Sequence, residues 1–414
     1  MKACILAVGS EMLTPLRVDT NSLVITERLN AVGYDVRLKA IVADDVDELV
    51  RGLNSALEWA DLIVVTGGLG PTEDDITRDA VAQAMRVPLD LHEEIVDRLR
   101  ERFAARGLRM PDINRRQAMV PRGATVLENP NGSAPGLWLE RGGTALVILP
   151  GPPREMTPML EAVVHDRLAS PNAAGLFRRV LKITGRPESE VDALAQPVYS
   201  KWTTGRVPIA TTILAVLGQI ELHLTASARS RAEADQALDL AIEELRPVIG
   251  ASLYSVDGQP LEAVVGSLLR ERKLTVAVAE SCTGGLLASR LTDVPGSSDY
   301  FERGVVCYSN RSKIELAGVP DRLIHEHGAV SEPVARAMAE GIAARATTNA
   351  GIGVTGIAGP GGGSPDKPVG TVVVAVTMNG NTTVRTFRLF GGRDMIKFQA
   401  AQAGMNMLRL MLVA

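Results

Sequence analysis

Short apolar runs alternate with helical patterns along the first 169 residues, and this alternation constrains the fold more than any other feature of the sequence. The apolar runs predict strands at Ala3–Val8, Tyr34–Val42, Leu62–Thr66 and Thr144–Leu149. The segments between them predict helices at Asn21–Ala31, Val46–Trp59, Thr77–Met85 and His92–Arg106. Strands that alternate with helices form parallel sheets that are covered on both faces. Residues 1–169 are therefore predicted to form an α/β domain with a doubly wound, largely parallel sheet.

A glycine-rich turn follows the third predicted strand and opens the next helix. Ligands of open α/β sheets bind beyond the carboxyl ends of the strands, where backbone amides at a helix start can hold a phosphate. Gly67, Gly68 and Gly70 are predicted to supply such amides, and Asp74 and Asp75 could hold a divalent cation that bridges phosphate oxygens. Aspartates near a helix start also act as caps and dipole partners, and this alternative stays open.

Two other predicted strands of this domain end in loops of the same kind. Asp44 follows the second strand and adds a carboxylate at a strand end, and the segment Pro150–Glu155 follows the fourth strand. These loops extend the predicted ligand site.

The middle of the chain, residues 176–254, predicts a small α+β layer of the ferredoxin sort. The linker Ser170–Gly175 precedes it, and its order is strand, helix, strand, strand, helix. It carries no catalytic constellation, so we expect it to act as a spacer or in dimerisation. Its last helix, Ala232–Ile249, is predicted to place Ala237, Leu240, Ala241 and Leu245 on one buried face. A domain this small is marginal alone, which favours a homodimer.

A second linker, Val256–Pro260, leads to a third domain at residues 259–414. The linkers predict that the two ends of the chain fold independently. Within the third domain, Leu274–Val278 predicts a strand and Leu286–Leu291 a helix, with Ala279–Gly285 between them. Such a turn presents the Ser281 hydroxyl beside free N–H groups, as a serine nucleophile with an oxyanion hole requires. The alternative is an ordinary helix cap.

A second segment of the third domain supplies a candidate base. Tyr308 and Lys313 follow the short apolar run Gly304–Val306, at the predicted change from strand to helix. Burial can lower the pKa of a lysine enough for the amine to accept a proton, and a tyrosine hydroxyl could pass that proton from Ser281. The alternative is that Lys313 is a solvated helix residue.

A third segment, Val354–Gly363, is too rich in glycine to form regular structure. Backbone amides in such a loop can approach a phosphate closely. The alternative is a flexible connection between two strands.

Composition excludes several classes of protein. The net charge of −4, the pI near 5.9 and the aromatic content of 3% argue against a nucleic-acid or membrane surface. Three scattered cysteines do not make a disulfide framework or a zinc site. We expect a cytoplasmic protein without a signal peptide or a membrane span.

The three C-terminal segments together resemble the CinA family, whose C-terminal domain removes ammonia from nicotinamide mononucleotide (NMN). The matching motifs are Glu-Ser-Cys-Thr-Gly-Gly, Tyr-Ser-Asn-x-x-Lys and Gly-Ile-Ala-Gly-Pro-Gly-Gly, in that order. The resemblance implies that Ser281, Tyr308 and Lys313 lie at the reacting centre and that no cofactor is needed. It implies substrate contacts from Thr283, Gly284, Gly285, Asn310, Gly356, Ala358, Gly359 and Gly361.

Residues 1–168 resemble the molybdopterin-binding fold, in the version that is fused to CinA domains. Gly-Gly-x-Gly-Pro followed by Asp75-Ile76-Thr77 carries this resemblance, and Asp44, Glu11 and Asn21 fit it. In that family the fold is associated with hydrolysis of ADP-ribose to AMP and ribose 5-phosphate. The resemblance implies a divalent metal held by Glu11, Asp44, Asp74 and Asp75, with substrate contacts from Asn21, Gly67, Gly68 and Gly70. One departure is Met12-Leu13-Thr14-Pro15, where many relatives have Leu-Leu-x-Gly after the glutamate.

The sequence therefore predicts a full-length CinA-like hydrolase with two sites for small-molecule nucleotides and no direct contact with nucleic acid. Two other classes stay open. One is a molybdopterin-handling enzyme, which rests only on the N-terminal fold. The other is a non-catalytic partner in DNA uptake or the damage response.

Overall fold

The computed structural model of the protein describes residues 1–168 and 174–414, so most of the predicted linker at 170–175 lies outside the described residues. The chain divides into two compact units. One unit comprises residues 1–177 and 226–235, and the other comprises residues 178–225 and 236–414. Across the described ranges, no helix combines the length and apolar character that crossing a bilayer would require.

The N-terminal domain contains eight strands and five α-helices in the described residues. The strands are β1 (Lys2–Val8), β2 (Asp35–Val42), β3 (Leu62–Thr66), β4 (Leu89–Leu91), β5 (Met119–Pro121), β6 (Thr125–Leu127), β7 (Gly136–Arg141) and β8 (Thr144–Leu149). The helices are α1 (Asn21–Ala31), α2 (Val46–Leu57), α3 (Thr77–Met85), α4 (Glu93–Ala104) and α5 (Pro153–Val163).

Six of these strands form one sheet in the order β2-β1-β3-β8-β7-β6. The pairs β2-β1, β1-β3 and β3-β8 are parallel, and β7 and β6 continue the sheet in antiparallel pairs. All five residues of β3 are buried because an apolar cluster lies on each face of the sheet. The predicted doubly wound fold is confirmed. The antiparallel edge of the sheet was not predicted, since the sequence analysis placed no strand between residues 67 and 143.

The middle domain forms a separate four-stranded sheet. Its elements are β9 (Gly175–Ile183), α6 (Glu188–Tyr199), β10 (Ile209–Val216), β11 (Gln219–Ala228), α7 (Arg231–Ile249) and β12 (Leu253–Ser255). The strand order is β10-β11-β9-β12, so the last strand pairs with the first. This confirms the predicted small α+β layer and adds β12 to it.

The buried face of α7 differs from the predicted one. Leu238 is buried, whereas Leu240 is 62% exposed. Ala241 and Leu245 are buried as predicted, and Ala237 is half-buried.

The C-terminal domain contains a mixed five-stranded sheet. Its strands are β13 (Val276–Glu280), β14 (Phe301–Val306), β15 (Ala350–Gly356), β16 (Thr371–Met378) and β17 (Asn381–Arg388). Its helices are α8 (Leu261–Arg272), α9 (Leu286–Thr292), α10 (Asn310–Ala317), α11 (Asp321–His327), α12 (Glu332–Ala346) and α13 (Arg393–Val413). The order is β14-β13-β15-β16-β17, and the first three strands are parallel. Their carboxyl ends therefore meet at one edge of the sheet.

The middle and C-terminal domains share packing within one unit. Tyr254, in β12, is buried in the same apolar cluster as Leu261 and Val265 of α8. Arg409, on α13, is buried and donates a hydrogen bond of 2.5 Å to the carbonyl oxygen of Ala251. A fragment that begins near Gln259 would lose both contacts. The expectation that the C-terminal domain folds independently from that residue onward stays a prediction.

Candidate functional site

The first candidate site lies where β13, β14 and β15 end. Ser281 follows β13 directly, and its N–H donates to the carbonyl oxygen of Val354 in β15 at 2.9 Å. The N–H of Cys307, which follows β14, donates to the carbonyl oxygen of Glu280 at 2.6 Å. These bonds fix the loops that carry Ser281 and Tyr308 side by side.

The structure brings Ser281 and Lys313 into direct contact. The side-chain nitrogen Nζ of Lys313 lies 3.0 Å from Oγ of Ser281. A capping box in which Ser309 and Ser312 exchange hydrogen bonds begins α10 and places Lys313 on its first turn. The side chain then points into the sheet edge, where Lys313 is 2% exposed. The alternative that Lys313 is a solvated helix residue is excluded by this burial.

The surroundings of Lys313 favour its neutral amine. Its Nζ also contacts the carbonyl oxygens of Cys307 at 2.9 Å and Tyr308 at 3.3 Å, so none of its three hydrogen-bond partners is a carboxylate. Burial lowers the pKa of Lys313 below its usual value. A neutral amine in contact with a serine hydroxyl is the arrangement that general-base activation requires.

The predicted position of the Tyr308 hydroxyl, between Ser281 and Lys313, is wrong. Lys313 reaches Ser281 without an intermediate group, and Tyr308 is 60% exposed. The Tyr308 hydroxyl instead accepts a hydrogen bond of 2.8 Å from Arg393 at the start of α13. Arg393 also donates to the carbonyl oxygen of Gly359 at 2.6 Å, so it joins the loops after β14 and β15. Sequence reasoning missed Arg393.

The predicted oxyanion donors are partly occupied by the protein itself. Glu280 is fully buried, and its carboxylate accepts the N–H groups of Gly285, Leu287 and Ala288 at 2.8–3.0 Å. The N–H of Gly284 donates to the carbonyl oxygen of Ser281 at 3.1 Å. Gly284 and Gly285 therefore shape the turn, with φ values of 61° and 94°, rather than offer free donors.

Two amides of this turn remain available for an oxyanion. Within residues 1–168 and 174–414, the backbone N–H of Thr283 has no hydrogen-bond partner, and that of Cys282 contacts only the thiol of the same residue. The Thr283 side chain is fully buried, and its hydroxyl oxygen has no partner in the same ranges.

The remaining predicted contact residues lie around the same edge. Asn310 is exposed at the first position of α10. The glycine-rich loop begins where β15 ends at Gly356, and its residue Ala358 is buried. Ile357 forms backbone hydrogen bonds of 2.8 Å with Gly370 and Thr371, which join the two ends of the loop. Gly359 and Gly361 lie within this loop. The loop is thus tied to the sheet at its base and to Arg393 at Gly359.

The three cysteines are buried and unpaired. Burial raises the pKa of the Cys282 thiol to about 12 and also raises that of Cys307. Neither thiol is thus suited to act as the nucleophile beside Lys313.

The second candidate site is a cavity of about 520 Å³ in the N-terminal domain. It lies beyond the carboxyl ends of β1, β2, β3 and β8, as expected for an open α/β sheet. All the predicted residues of this domain line it, namely Glu11, Asn21, Asp44, Gly67, Gly68, Gly70, Asp74 and Asp75. It is also lined by Glu155, the last residue of the predicted loop Pro150–Glu155, and by Gln117 and Ser133, which sequence reasoning did not assign.

Hydrogen bonds from side chains of α3 hold the glycine-rich turn of this cavity in place. Thr77 donates to the carbonyl oxygen of Gly67 at 2.8 Å, and the buried guanidinium of Arg78 donates to the carbonyl oxygens of Leu69 and Gly70. A side chain at Gly67 would place its Cβ 2.3 Å from the carbonyl oxygen of Val8, so only glycine fits there. These contacts hold the backbone of the turn in one conformation.

Two of the three predicted phosphate-binding amides are already in use. The N–H of Gly67 donates to Leu149 at 3.0 Å, and the N–H of Gly70 donates to the Asp75 carboxylate at 2.6 Å. Within the ranges that the structure describes, the N–H groups of Gly68 and Leu69 have no partner. A phosphate at this turn would thus use Gly68 and Leu69.

The carboxylates of this cavity do not form a preassembled metal centre. Asp75 accepts three hydrogen bonds from Gly70 and Thr72, and Asp44 accepts one from the N–H of Ser10 at 2.7 Å. Among the described residues, no three acidic, histidine or cysteine side chains converge as metal ligands. The predicted set of four carboxylates around one cation is thus not formed by the chain alone. A Mg²⁺ ion held by one or two carboxylates and by substrate phosphates still fits this donor set.

Asn21 connects two loops at the rim of this cavity. Its side-chain amide, at the start of α1, donates to the carbonyl oxygen of Gly151 at 2.7 Å. The loops before α1 and after β8 are thereby joined.

Comparison with known proteins covers the whole chain. Family models match for a probable molybdopterin binding domain at residues 4–170, the damage-inducible protein CinA KH domain at 178–255 and the CinA C-terminal domain at 258–412. A CinA-like protein of Solibacter usitatus is 42% identical over 99% of this chain and 98% of its own length. A CinA-like protein of Koribacter versatilis is 44% identical over the full length of both chains.

Solved structures resemble part of the chain. The competence/damage inducible protein CihA from Agrobacterium tumefaciens is 40% identical, with a TM-score of 0.36, and the match covers 37% of this chain and 94% of that one. A CinA superfamily protein from Klebsiella pneumoniae is 32% identical, with a TM-score of 0.36, over 37% of this chain and 96% of its own. The full-length relatives, together with the three family models in their order, show that this chain belongs to the CinA family.

Proposed function

We propose that the protein is a hydrolase with two sites, which deamidates NMN in the C-terminal domain and hydrolyses ADP-ribose in the N-terminal domain. The observation that carries the first activity is the buried contact of 3.0 Å between Lys313 Nζ and Ser281 Oγ. The identity of both substrates rests on the resemblance to the CinA family.

The proposed deamidation proceeds through an acyl-enzyme. Lys313 accepts the proton of the Ser281 hydroxyl as Oγ attacks the carboxamide carbon of NMN. The N–H groups of Cys282 and Thr283 stabilise the oxyanion that forms. Lys313 returns the proton to the departing nitrogen, which leaves as ammonia. Water, deprotonated by the same amine, then cleaves the ester to nicotinate mononucleotide and restores Ser281.

The proposed N-terminal activity uses the cavity around the Gly67–Gly70 turn. The amides of Gly68 and Leu69 would hold a phosphate oxygen of ADP-ribose, and Asn21 would keep the rim loops in place. A divalent cation, when bound by Asp44 or its neighbours together with the diphosphate, offsets negative charge during attack on phosphorus.

The experiment that tests both activities compares NMN and ADP-ribose as substrates of the full-length protein. We expect EDTA to abolish release of AMP from ADP-ribose and to leave ammonia release from NMN unchanged, because only the N-terminal chemistry needs a cation. Products are identified by chromatography. As a control, Mg²⁺ added in excess of EDTA should restore the release of AMP. Loss of both activities in EDTA would contradict the assignment of separate sites, and loss of neither would refute the cation requirement of the N-terminal chemistry.

Small molecules remain the proposed ligands even though the middle domain matches a KH model. KH domains clamp nucleic-acid backbones with a G-x-x-G loop. The glycines between residues 178 and 255 are Gly185, Gly205, Gly218 and Gly250, and no two of them have that spacing. Direct contact with nucleic acid by this domain is therefore not part of the proposal.

The proposal includes a homodimer that forms through the middle domain. Strand β10 is an edge strand, carries no charged residue, and exposes Leu214 and Val216. An uncharged edge strand is a template for pairing with another chain. We expect light scattering at micromolar concentration to give twice the mass of 44.0 kDa, and Leu214→Lys to shift the protein towards the monomer. A monomeric parent protein would refute this part of the proposal.

A further inference from the structure

A second, smaller cavity adjoins the cavity of about 520 Å³ in the N-terminal domain. It has a volume of about 160 Å³ and lies between the end of α4, the loop at residues 131–133 and the start of α5. Ser133 and Glu155 line both cavities, so the two are adjacent. A ligand in the larger cavity that reaches past these two side chains would enter the smaller one.

Three arginines line this smaller cavity, which we call the arginine cavity: Arg102, Arg106 and Arg154. In the part of the chain that the structure describes, Arg102 and Arg106 take part in no ion pair and no side-chain hydrogen bond. Arg154 is 80% exposed, and its ion pair with Glu155 is long, at 3.9 Å. The guanidinium groups are thus available to an anion, in a protein whose net charge is −4.

Glu155 is the one carboxylate among the residues that line the arginine cavity. Its side chain is 11% exposed and accepts a hydrogen bond of 2.8 Å from the amide of Asn129. A Cβ at Gly132 would lie 1.7 Å from Glu155 Oε2, so the loop packs directly against this carboxylate. Glu155 is therefore held as part of the wall between the two cavities, and the net charge of the lining residues is positive.

We propose that the arginine cavity binds a phosphomonoester on the ribose of the nucleotide whose diphosphate occupies the larger cavity. Arginine pairs with phosphate oxygens through two parallel hydrogen bonds, and a phosphomonoester carries nearly two negative charges at neutral pH. In dinucleotide sites an arginine beside the ribose accommodates the 2′-phosphate. The ligand class is an ADP-ribose derivative with a 2′-phosphate. This inference deepens the proposed N-terminal function and rests on it for the placement of the diphosphate.

The test compares ADP-ribose with ADP-ribose 2′-phosphate on the full-length protein. Binding is measured by calorimetry in EDTA, and hydrolysis is measured separately with Mg²⁺. We expect the parent protein to bind the 2′-phosphorylated ligand at least tenfold more tightly, and the double variant Arg102→Ala, Arg106→Ala to lose that preference while its affinity for ADP-ribose stays unchanged. Arg109→Ala is the matched control, because Arg109 lies nearby in sequence and does not line the cavity.

Each outcome separates the two proposals. Equal affinity of the parent protein for both ligands would overturn the inference, as would a preference that persists in the double variant. Absence of hydrolysis with a retained, arginine-dependent preference would refute the pyrophosphatase assignment and leave the phosphate site supported. Hydrolysis of both ligands with equal KM values and equal affinities would support the pyrophosphatase assignment and refute the phosphate site.

Discussion

Replacement of Ser281 by alanine is expected to lower ammonia release from NMN by a factor on the order of 10⁴–10⁶, as removal of a catalytic serine does in other hydrolases. The reason is that, of the three atoms that Lys313 Nζ contacts, Ser281 Oγ alone could form the acyl bond. Turnover of ADP-ribose is expected to stay unchanged, since the N-terminal cavity contains no part of this site. A coupled assay for ammonia and chromatography of AMP measure the two activities in one preparation.

Ser289→Ala is the matched control for this prediction. Ser289 lies on α9 two turns beyond Ser281 and is exposed, so its loss should change neither activity. If Ser281→Ala keeps near-normal deamidation, attack by water without an acyl-enzyme becomes the better mechanism.

Replacement of Lys313 is expected to lower deamidation by a factor on the order of 10²–10⁴, the usual contribution of a general base. Arginine at this position stays protonated and cannot accept the Ser281 proton, and methionine removes the amine while keeping the length of the side chain. Both variants should retain turnover of ADP-ribose, which shows that the N-terminal domain is folded. They should also retain the circular dichroism spectrum of the parent protein, which reports on the C-terminal domain as well. Substantial deamidation by Lys313→Arg would refute the assignment of the base.

The pH dependence of the parent enzyme follows from the same residue. Because burial lowers the pKa of Lys313, its neutral form is populated at a lower pH than that of an exposed lysine. The value of kcat/KM should rise tenfold per pH unit below that pKa and level off above it. The midpoint should lie below 10.5, the ordinary value for lysine. A profile that falls over this range would exclude the neutral amine.

Much of the fold could be predicted because the apolar periodicity is strong. Helices α1 and α3 begin and end at the predicted residues. The missed strands β4, β5 and β6 have three residues each, too few to show a period. The buried face of α7 was misassigned because positions 237, 238, 240 and 241 all carry alanine or leucine, so the sequence is compatible with more than one apolar face. Packing in the folded domain buries Leu238 and leaves Leu240 exposed.

The candidate site could be predicted only in part, for physical reasons. Ser281 and Lys313 were found because each follows a strand within a short motif. Glu280 was not assigned to β13, since a charged residue normally ends an apolar run. It is buried because the first amides of α9 provide its hydrogen bonds. Arg393 lies 85 residues from Tyr308, and no local pattern distinguishes it from any other polar residue at a helix start.

The burial of Cys282 beside the candidate nucleophile has a consequence for chemical inhibition. Thiol-directed electrophiles react with thiolates, and this thiol stays protonated because its pKa is raised to about 12. Ser281, by contrast, lies beside an amine that can deprotonate it. Covalent inhibitors of this domain should therefore carry acylating groups that suit an activated hydroxyl, and the cysteine next to that hydroxyl offers them no competing target.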